Sequence, residues 1–174
     1  MKILKFPELR QTYTWDCGVC ALQSILEYYG LDVRESVIMK LAKTTKGGTS
    51  ATGIKRVIKK YGLDFTAGQM TVAQIKKYLD KKTPVILLVQ AWSDKKVDWE
   101  KDWADGHYVD AIGYDKKRIY FEDPSSVLRT YLTYKEFEKR WHDGSVKGRK
   151  YIHWGIAVFG KKPKYNPTKP IHMG

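Results

Sequence analysis

The spacing of hydrophobic residues changes near Pro84, and this change restricts the fold more than any other feature of the chain. Before it, hydrophobic residues recur with the three- and four-residue steps of amphipathic helices, as at Ile54, Val57, Ile58 and Tyr61. After it, short apolar runs such as Val85–Val89 are typical of buried strands. We therefore predict an α+β fold, with N-terminal helices packed on a C-terminal antiparallel sheet.

Capping residues predict where the helices begin. Asp16 and Gly30 bound a first helix, Asp32 opens a second, and Thr71 with Gln74 three residues later has the spacing of a capping box at the start of another.

The strand half begins with a predicted hairpin. Its strands are His107–Tyr114 and Arg118–Asp123, joined by a turn at 115–117. A short helix over Tyr134–Trp141 and a last strand over Tyr151–Phe159 complete the prediction. The segment Ser93–Gly106 joins two strands and carries Trp99 and Trp103, so it is either an ordinary surface loop or a loop that contacts substrate.

The 174 residues suit one domain, which we predict over residues 1–160, with a basic, proline-containing tail over 161–174. No apolar run is long enough to cross a bilayer, and the first residues lack the apolar core of a secretory signal, so we predict no transmembrane segment and a cytoplasmic location.

The net charge is +13, but the lysines are spread along the chain. This distribution favours general attraction to polyanions and predicts no specific nucleic-acid binding.

Cys17 is the first candidate for chemistry. It follows the predicted N-cap, and unpaired N–H groups in the first turn of a helix favour a thiolate. A buried structural thiol is the plainer interpretation. Cys17 and Cys20 also form a C-x-x-C pair, as in disulfide oxidoreductases, although no clear strand precedes them.

His107 and Asp123 are candidates for a catalytic pair because both lie in the predicted hairpin. A turn of three or five residues pairs positions whose numbers have an even sum, which places Asp123 opposite Val109 or Ala111 on the face of His107. A two-residue turn sends Asp123 to the other face.

Together these residues resemble a known family. Gln11, the pair Cys17-Gly18, the strand beginning Gly106-His107-Tyr108-Val109, and Asp123-Pro124 resemble the C39 family of cysteine peptidases, papain-like domains that remove double-glycine leaders from exported peptides. The resemblance covers Gln11 through Asp123.

The resemblance implies a papain-like fold and four site roles. Cys17 would be the nucleophile, His107 the general base and later acid, Asp123 the residue that orients the imidazole, and Gln11 an oxyanion donor. It implies a cysteine peptidase that needs no metal or other cofactor and acts on a peptide or protein, with an acidic leader peptide as a partner for the basic surface. Two alternatives stay open, namely a peptide-binding module without turnover and another papain-like acyl-transfer enzyme, such as an amidase or a transglutaminase-like protein.

Overall fold

The computed structural model describes residues 2–145, 148–170 and 172. Its elements in chain order are β1 (Lys2–Ile3), α1 (Cys17–Tyr28), α2 (Glu35–Ala42), α3 (Ala51–Lys60), β2 (Asp64–Gln69), α4 (Val72–Asp80), β3 (Val85–Gln90), β4 (Gly106–Tyr114), β5 (Arg118–Glu122), β6 (Thr130–Thr133), α5 (Tyr134–Arg140), β7 (His142–Gly144), β8 (Lys150–Ile152) and β9 (Trp154–Phe159). No helix within these described ranges combines the length and apolar character needed to cross a bilayer.

An antiparallel sheet organises the fold. Among the described residues its strands follow the order β2-β9-β3-β4-β5-β6, with β1 paired to β4, and β7 and β8 form a separate two-stranded ribbon. One hydrophobic core packs α1, α2 and α3 against one face of the sheet, and a second packs α4 and α5 against the other. The predicted α+β arrangement is confirmed.

Local capping explains two helix starts. Thr71 and Gln74 form both hydrogen bonds of a capping box at α4, and the Ser50 hydroxyl accepts from the Gly53 N–H at α3. The prediction for the start of α2 was wrong by two residues, because Arg34 and not Asp32 occupies its N-cap.

Two parts of the sheet differ from the sequence prediction. The strand β2 was not predicted, and the strand expected over Tyr151–Phe159 is divided into β8 and β9 at His153, whose φ of 49° breaks the extended backbone.

Near the C-terminus, the N–H groups of Lys164 and Tyr165 donate to the Tyr28 carbonyl, so this segment contacts the end of α1.

Close packing of α1 on β4 depends on Gly18. A Cβ atom at this position would lie 2.9 Å from Cδ2 of Tyr108 and 3.0 Å from Cβ of Thr49. Glycine therefore allows the first turn of α1 to approach the beginning of β4, where His107 lies.

Two acidic side chains lie opposite each other in the interior. Asp110 of β4 pairs with Glu122 of β5, and both are buried. Neither carboxylate oxygen of Asp110 has a hydrogen-bond partner in the described part of the chain. Burial and then the charge of Glu8 raise the pKa of Glu122 to about 8, and burial and Glu122 raise that of Asp110 well above its ordinary value.

We predict that this pair lowers the stability of the folded state in alkaline solution. A carboxyl whose pKa is raised by folding stabilises the folded state fully when the pH is below the pKa of the group in the unfolded chain. This contribution is lost as the pH rises through the pKa in the folded chain, about 8 for Glu122. The free energy of unfolding should therefore fall between about pH 5 and pH 9, and Glu122→Gln should reduce this fall. Urea unfolding across this range measures the difference. An unchanged pH dependence in Glu122→Gln, or an equal reduction in the surface control Glu138→Gln, would contradict the prediction.

Candidate active site

Cys17 is the first residue of α1 and is partly exposed. The helix position was predicted correctly, but the role of Asp16 as a side-chain cap was wrong. The buried Asp16 carboxylate instead accepts from the backbone N–H groups of Thr12, at 3.2 Å, and Tyr13, at 3.0 Å. Asp16 thus fixes the loop before Cys17 and leaves N–H groups in the first turn of α1 free of a side-chain cap.

His107 lies between Cys17 and Asp123. Its Nε2 atom is 2.8 Å from Oδ1 of Asp123, and the Cys17 thiol lies near enough to the ring to raise its pKa. Because Asp123 engages Nε2, Nδ1 is the ring nitrogen left for the thiol. The structure therefore brings three of the four predicted site residues together in the order Cys17, His107 and Asp123.

The charges of this series stabilise one another. Burial of the imidazole acts to lower the pKa of His107, but its bonds with Asp123 and Cys17 outweigh this effect and raise the pKa to about 9. Burial also acts to raise the pKa of Asp123, and the bond with His107 outweighs it, so the net direction is downward. An imidazolium beside an ionised carboxylate is the favoured state at neutral pH.

An extra residue in β4 places Asp123 on the same face of the sheet as His107. At the turn, Tyr114 pairs with Ile119, and the sum of their numbers, 233, is odd. This register would send Asp123 to the face opposite His107. A β-bulge at Ile112 shifts the register, and Asp110 then pairs with Glu122, for an even sum of 232. If this register continues by one residue, Asp123 lies opposite Val109, as predicted. The pairs next to the turn, however, have an odd sum and not the even sum that the prediction assumed.

Gln11 joins the loop before Cys17 to the turn after Asp123. Its side-chain Nε2 donates to the Tyr13 carbonyl at 2.6 Å, and its Oε1 accepts from the Ser125 hydroxyl at 3.1 Å. Its backbone N–H donates to the Pro124 carbonyl at 2.9 Å. One of the two amide hydrogens is thus engaged within the loop, and the second is available for another acceptor.

Two residues that sequence analysis missed hold Asp123 from its other side. The indole Nε1 of Trp92 donates to Oδ2 at 3.0 Å, and the Thr130 hydroxyl donates to the same oxygen at 3.2 Å. Neither residue belongs to a motif found around Asp123 or His107, so no signal in the sequence pointed to them.

The loop between β3 and β4 packs on the protein surface. The Arg140 guanidinium lies 3.9 Å from the centre of the Trp99 ring, and the Trp103 ring lies 4.6 Å from that of His142. At the base of the loop, the Ala91 N–H donates to the Asp105 carbonyl. Both predicted loop tryptophans are therefore surface-packed, which favours the interpretation as an ordinary loop for this part.

Cys20 does not share the environment of Cys17. It is buried, and burial followed by the charge of Asp110 raises its pKa well above the ordinary value. Both cysteines are free thiols. A buried thiol with a raised pKa is a poor nucleophile, which argues against dithiol chemistry at the C-x-x-C pair.

Comparisons with known proteins show the family of the chain. The family model described as the peptidase C39 family matches residues 5–146. The chain is 30% identical over 171 residues to the lactococcin transport/processing ATP-binding protein LcnC-like of Lactococcus lactis, covering 97% of this chain and 21% of the relative. It is 29% identical over 157 residues to the lactococcin-G-processing and transport ATP-binding protein LagD of the same species, covering 88% of this chain and 18% of LagD. The chain thus spans about a fifth of the length of these relatives.

Solved structures show the same fold. The peptidase domain of Streptococcus ComA matches with a TM-score of 0.68 at 24% identity, covering 88% of this chain and 97% of that domain. A double glycine motif protease from an AMS/PCAT transporter, solved in complex with the leader peptide, matches with a TM-score of 0.66 at 19% identity, covering 93% and 94% of the two chains. With a family model that matches most of the chain and a fold shared with these domains, the chain belongs to the peptidase C39 family.

Proposed function

We propose that this chain is a cysteine peptidase that cleaves a peptide bond after a double-glycine leader, with Cys17 as nucleophile. The observation that carries the proposal is the series Cys17–His107–Asp123, in which the imidazole contacts the thiol and lies 2.8 Å from a carboxylate. A carboxylate on one ring nitrogen and a thiol at the other is the arrangement that an activated sulfur nucleophile requires.

The first half-reaction forms an acyl-enzyme. The Cys17 thiolate, whose proton already resides on the His107 imidazolium, attacks the carbonyl carbon of the scissile peptide bond to form a C–S bond. When the tetrahedral intermediate collapses, the C–N bond breaks, and the imidazolium gives its proton to the departing amine. The raised pKa of His107, about 9, suits the acid role because the ring is protonated at neutral pH.

The second half-reaction releases the new carboxyl terminus. His107, now neutral, removes a proton from water, and the oxygen attacks the thioester carbonyl. The C–S bond then breaks, and the sulfur leaves as a thiolate beside the reprotonated imidazolium. Asp123 holds the ring orientation through both steps and stays ionised.

Negative charge on the carbonyl oxygen needs hydrogen-bond donors near Cys17. The N–H groups at the start of α1, which lack a side-chain cap, supply one source, and the second amide hydrogen of Gln11 supplies another. The bonds of Gln11 to Tyr13 and Ser125 hold this amide in a defined place, which reduces the reorganisation required during reaction.

Relatives and charge both support a leader peptide as substrate. Several relatives are named as processing and transport proteins, and one similar structure holds a leader peptide. On this chain, a cavity of about 440 Å³ is lined by the basic side chains Lys55, Arg149 and Lys150 and by the rings of Tyr151 and Trp154. Together with the net charge of +13, this groove favours an acidic, amphipathic segment of the leader.

We predict that cleavage depends on Cys17 and His107. Incubation with a synthetic peptide that carries an acidic leader and a Gly-Gly junction should give two products, measured by mass spectrometry. Cys17→Ala should abolish cleavage, and His107→Ala should lower kcat by roughly 10²–10⁴-fold because general acid–base catalysis is lost. Product masses also separate hydrolysis from transfer to another amine.

Two variants are matched controls for this experiment. Cys20→Ala removes the buried thiol, and His153→Asn removes a histidine outside the site while tolerating its positive φ. Both should cleave at rates close to that of the unsubstituted protein. No cleavage by that protein, together with thiol alkylation of Cys17 no faster than in urea, would contradict a peptidase and favour a peptide-binding module.

The role of Gln11 has its own test. Gln11→Ala should lower kcat by roughly 10²-fold with little change in KM, since an oxyanion donor acts mainly in the transition state. Ser125→Ala removes one of the two hydrogen bonds that hold the Gln11 amide and leaves the amide itself in place, so it should have a smaller effect. If Gln11→Ala kept full kcat, or if the two variants lost equal activity, Gln11 would be a link between loops and no oxyanion donor.

A further inference from the structure

The Asp123 carboxylate accepts four hydrogen bonds. Oδ1 accepts from His107 at 2.8 Å and from the Ser125 N–H at 2.9 Å, and Oδ2 accepts from Trp92 at 3.0 Å and from Thr130 at 3.2 Å. Ser125 belongs to the turn that follows Asp123. Trp92 comes instead from the opposite side of the site, where β3 leads into the loop before β4.

Trp92 occupies its place against two ordinary preferences. Its backbone has a φ of 65°, a left-handed conformation that bulky residues rarely adopt. The residue is also 56% exposed, so burial of apolar surface does not account for its position. The hydrogen bond from the indole to Asp123 is the specific contact that this conformation makes.

We propose that Trp92 is a positioning residue, whose indole N–H fixes the Asp123 carboxylate so that Oδ1 faces the His107 ring. This inference rests on the proposed function of the Cys17–His107–Asp123 series. With the indole in place, Oδ2 is held from two directions, by Trp92 and by Thr130. Without it, the carboxylate turns more freely, and the imidazole loses its fixed partner for part of the time.

Phenylalanine is a suitable replacement at position 92. Trp92 forms part of the wall of an apolar cavity of about 120 Å³, together with Phe121 and Leu132. Trp92→Phe keeps an aromatic ring against this wall and removes the N–H donor. Trp103→Phe is the matched control, because Trp103 lies in the same loop and packs on His142, away from Asp123.

The experiment measures steady-state cleavage of the Gly-Gly peptide and, separately, the rate at which iodoacetamide alkylates Cys17 at pH 7. For Trp92→Phe we expect kcat to fall about tenfold with KM within about twofold, the effect of losing one hydrogen bond to a charged group. Alkylation should slow by a similar factor, because a loosened imidazolium stabilises the thiolate less. Trp103→Phe should match the unsubstituted protein in both measurements.

A double-mutant cycle separates positioning from a general effect on the loop. In an Asp123→Ala background, Trp92→Phe should cause less than about a twofold further loss of alkylation rate, since the carboxylate that the indole holds is already gone. An equal loss in both backgrounds would overturn the proposal, as would a change in KM alone, which would make Trp92 a substrate contact. Alkylation requires no substrate, so a protein that fails to cleave the peptide overturns the peptidase function without deciding the role of Trp92.

Discussion

The hydrogen bond between His107 and Asp123 depends on one extra residue in a strand. The turn after Tyr114 sets a register that would place the two side chains on opposite faces of the sheet, and the bulge at Ile112 reverses this within a few residues. Gly113, next to the bulge, leaves space for β1, since a Cβ there would lie 2.4 Å from the Lys2 carbonyl oxygen. The bulge is therefore part of the site, although it contacts no reacting atom.

The other half of the site depends on a carboxylate that is not a catalytic candidate. Asp16 immediately precedes Cys17 and holds the backbone of Thr12 and Tyr13, and Gln11 continues this ordered loop to the turn after Asp123. Cys17 and Asp123 thus lie in segments about a hundred residues apart that are joined by a few hydrogen bonds. Close packing at Gly18 fixes the helix that carries the thiol.

Local signals predicted the elements better than they predicted the contacts between them. Thr71 with Gln74 determines the start of α4 through its own hydrogen bonds, so the sequence was sufficient there. β2, by contrast, has the sequence DFTAGQ and is a strand because it pairs with β9, which lies far along the chain. Of the candidate site residues, Cys17, His107 and Asp123 could be picked out from their order and local setting in the sequence. The hydrogen bond from Trp92 could not be predicted, because it depends on a left-handed backbone and on the final path of a loop.

The most direct test of this account is the ionisation of the His107 ring, followed by NMR in protein with ¹⁵N-labelled histidine. We predict that His107 titrates near pH 9 and that Cys17→Ala lowers this value, because the ring loses one of the two partners that stabilise its charge. The nitrogen shifts should show a ring protonated on both atoms at neutral pH. Titration near the ordinary value of 6.5, unaffected by Cys17→Ala, would contradict the coupled thiol, imidazole and carboxylate on which the proposed chemistry depends.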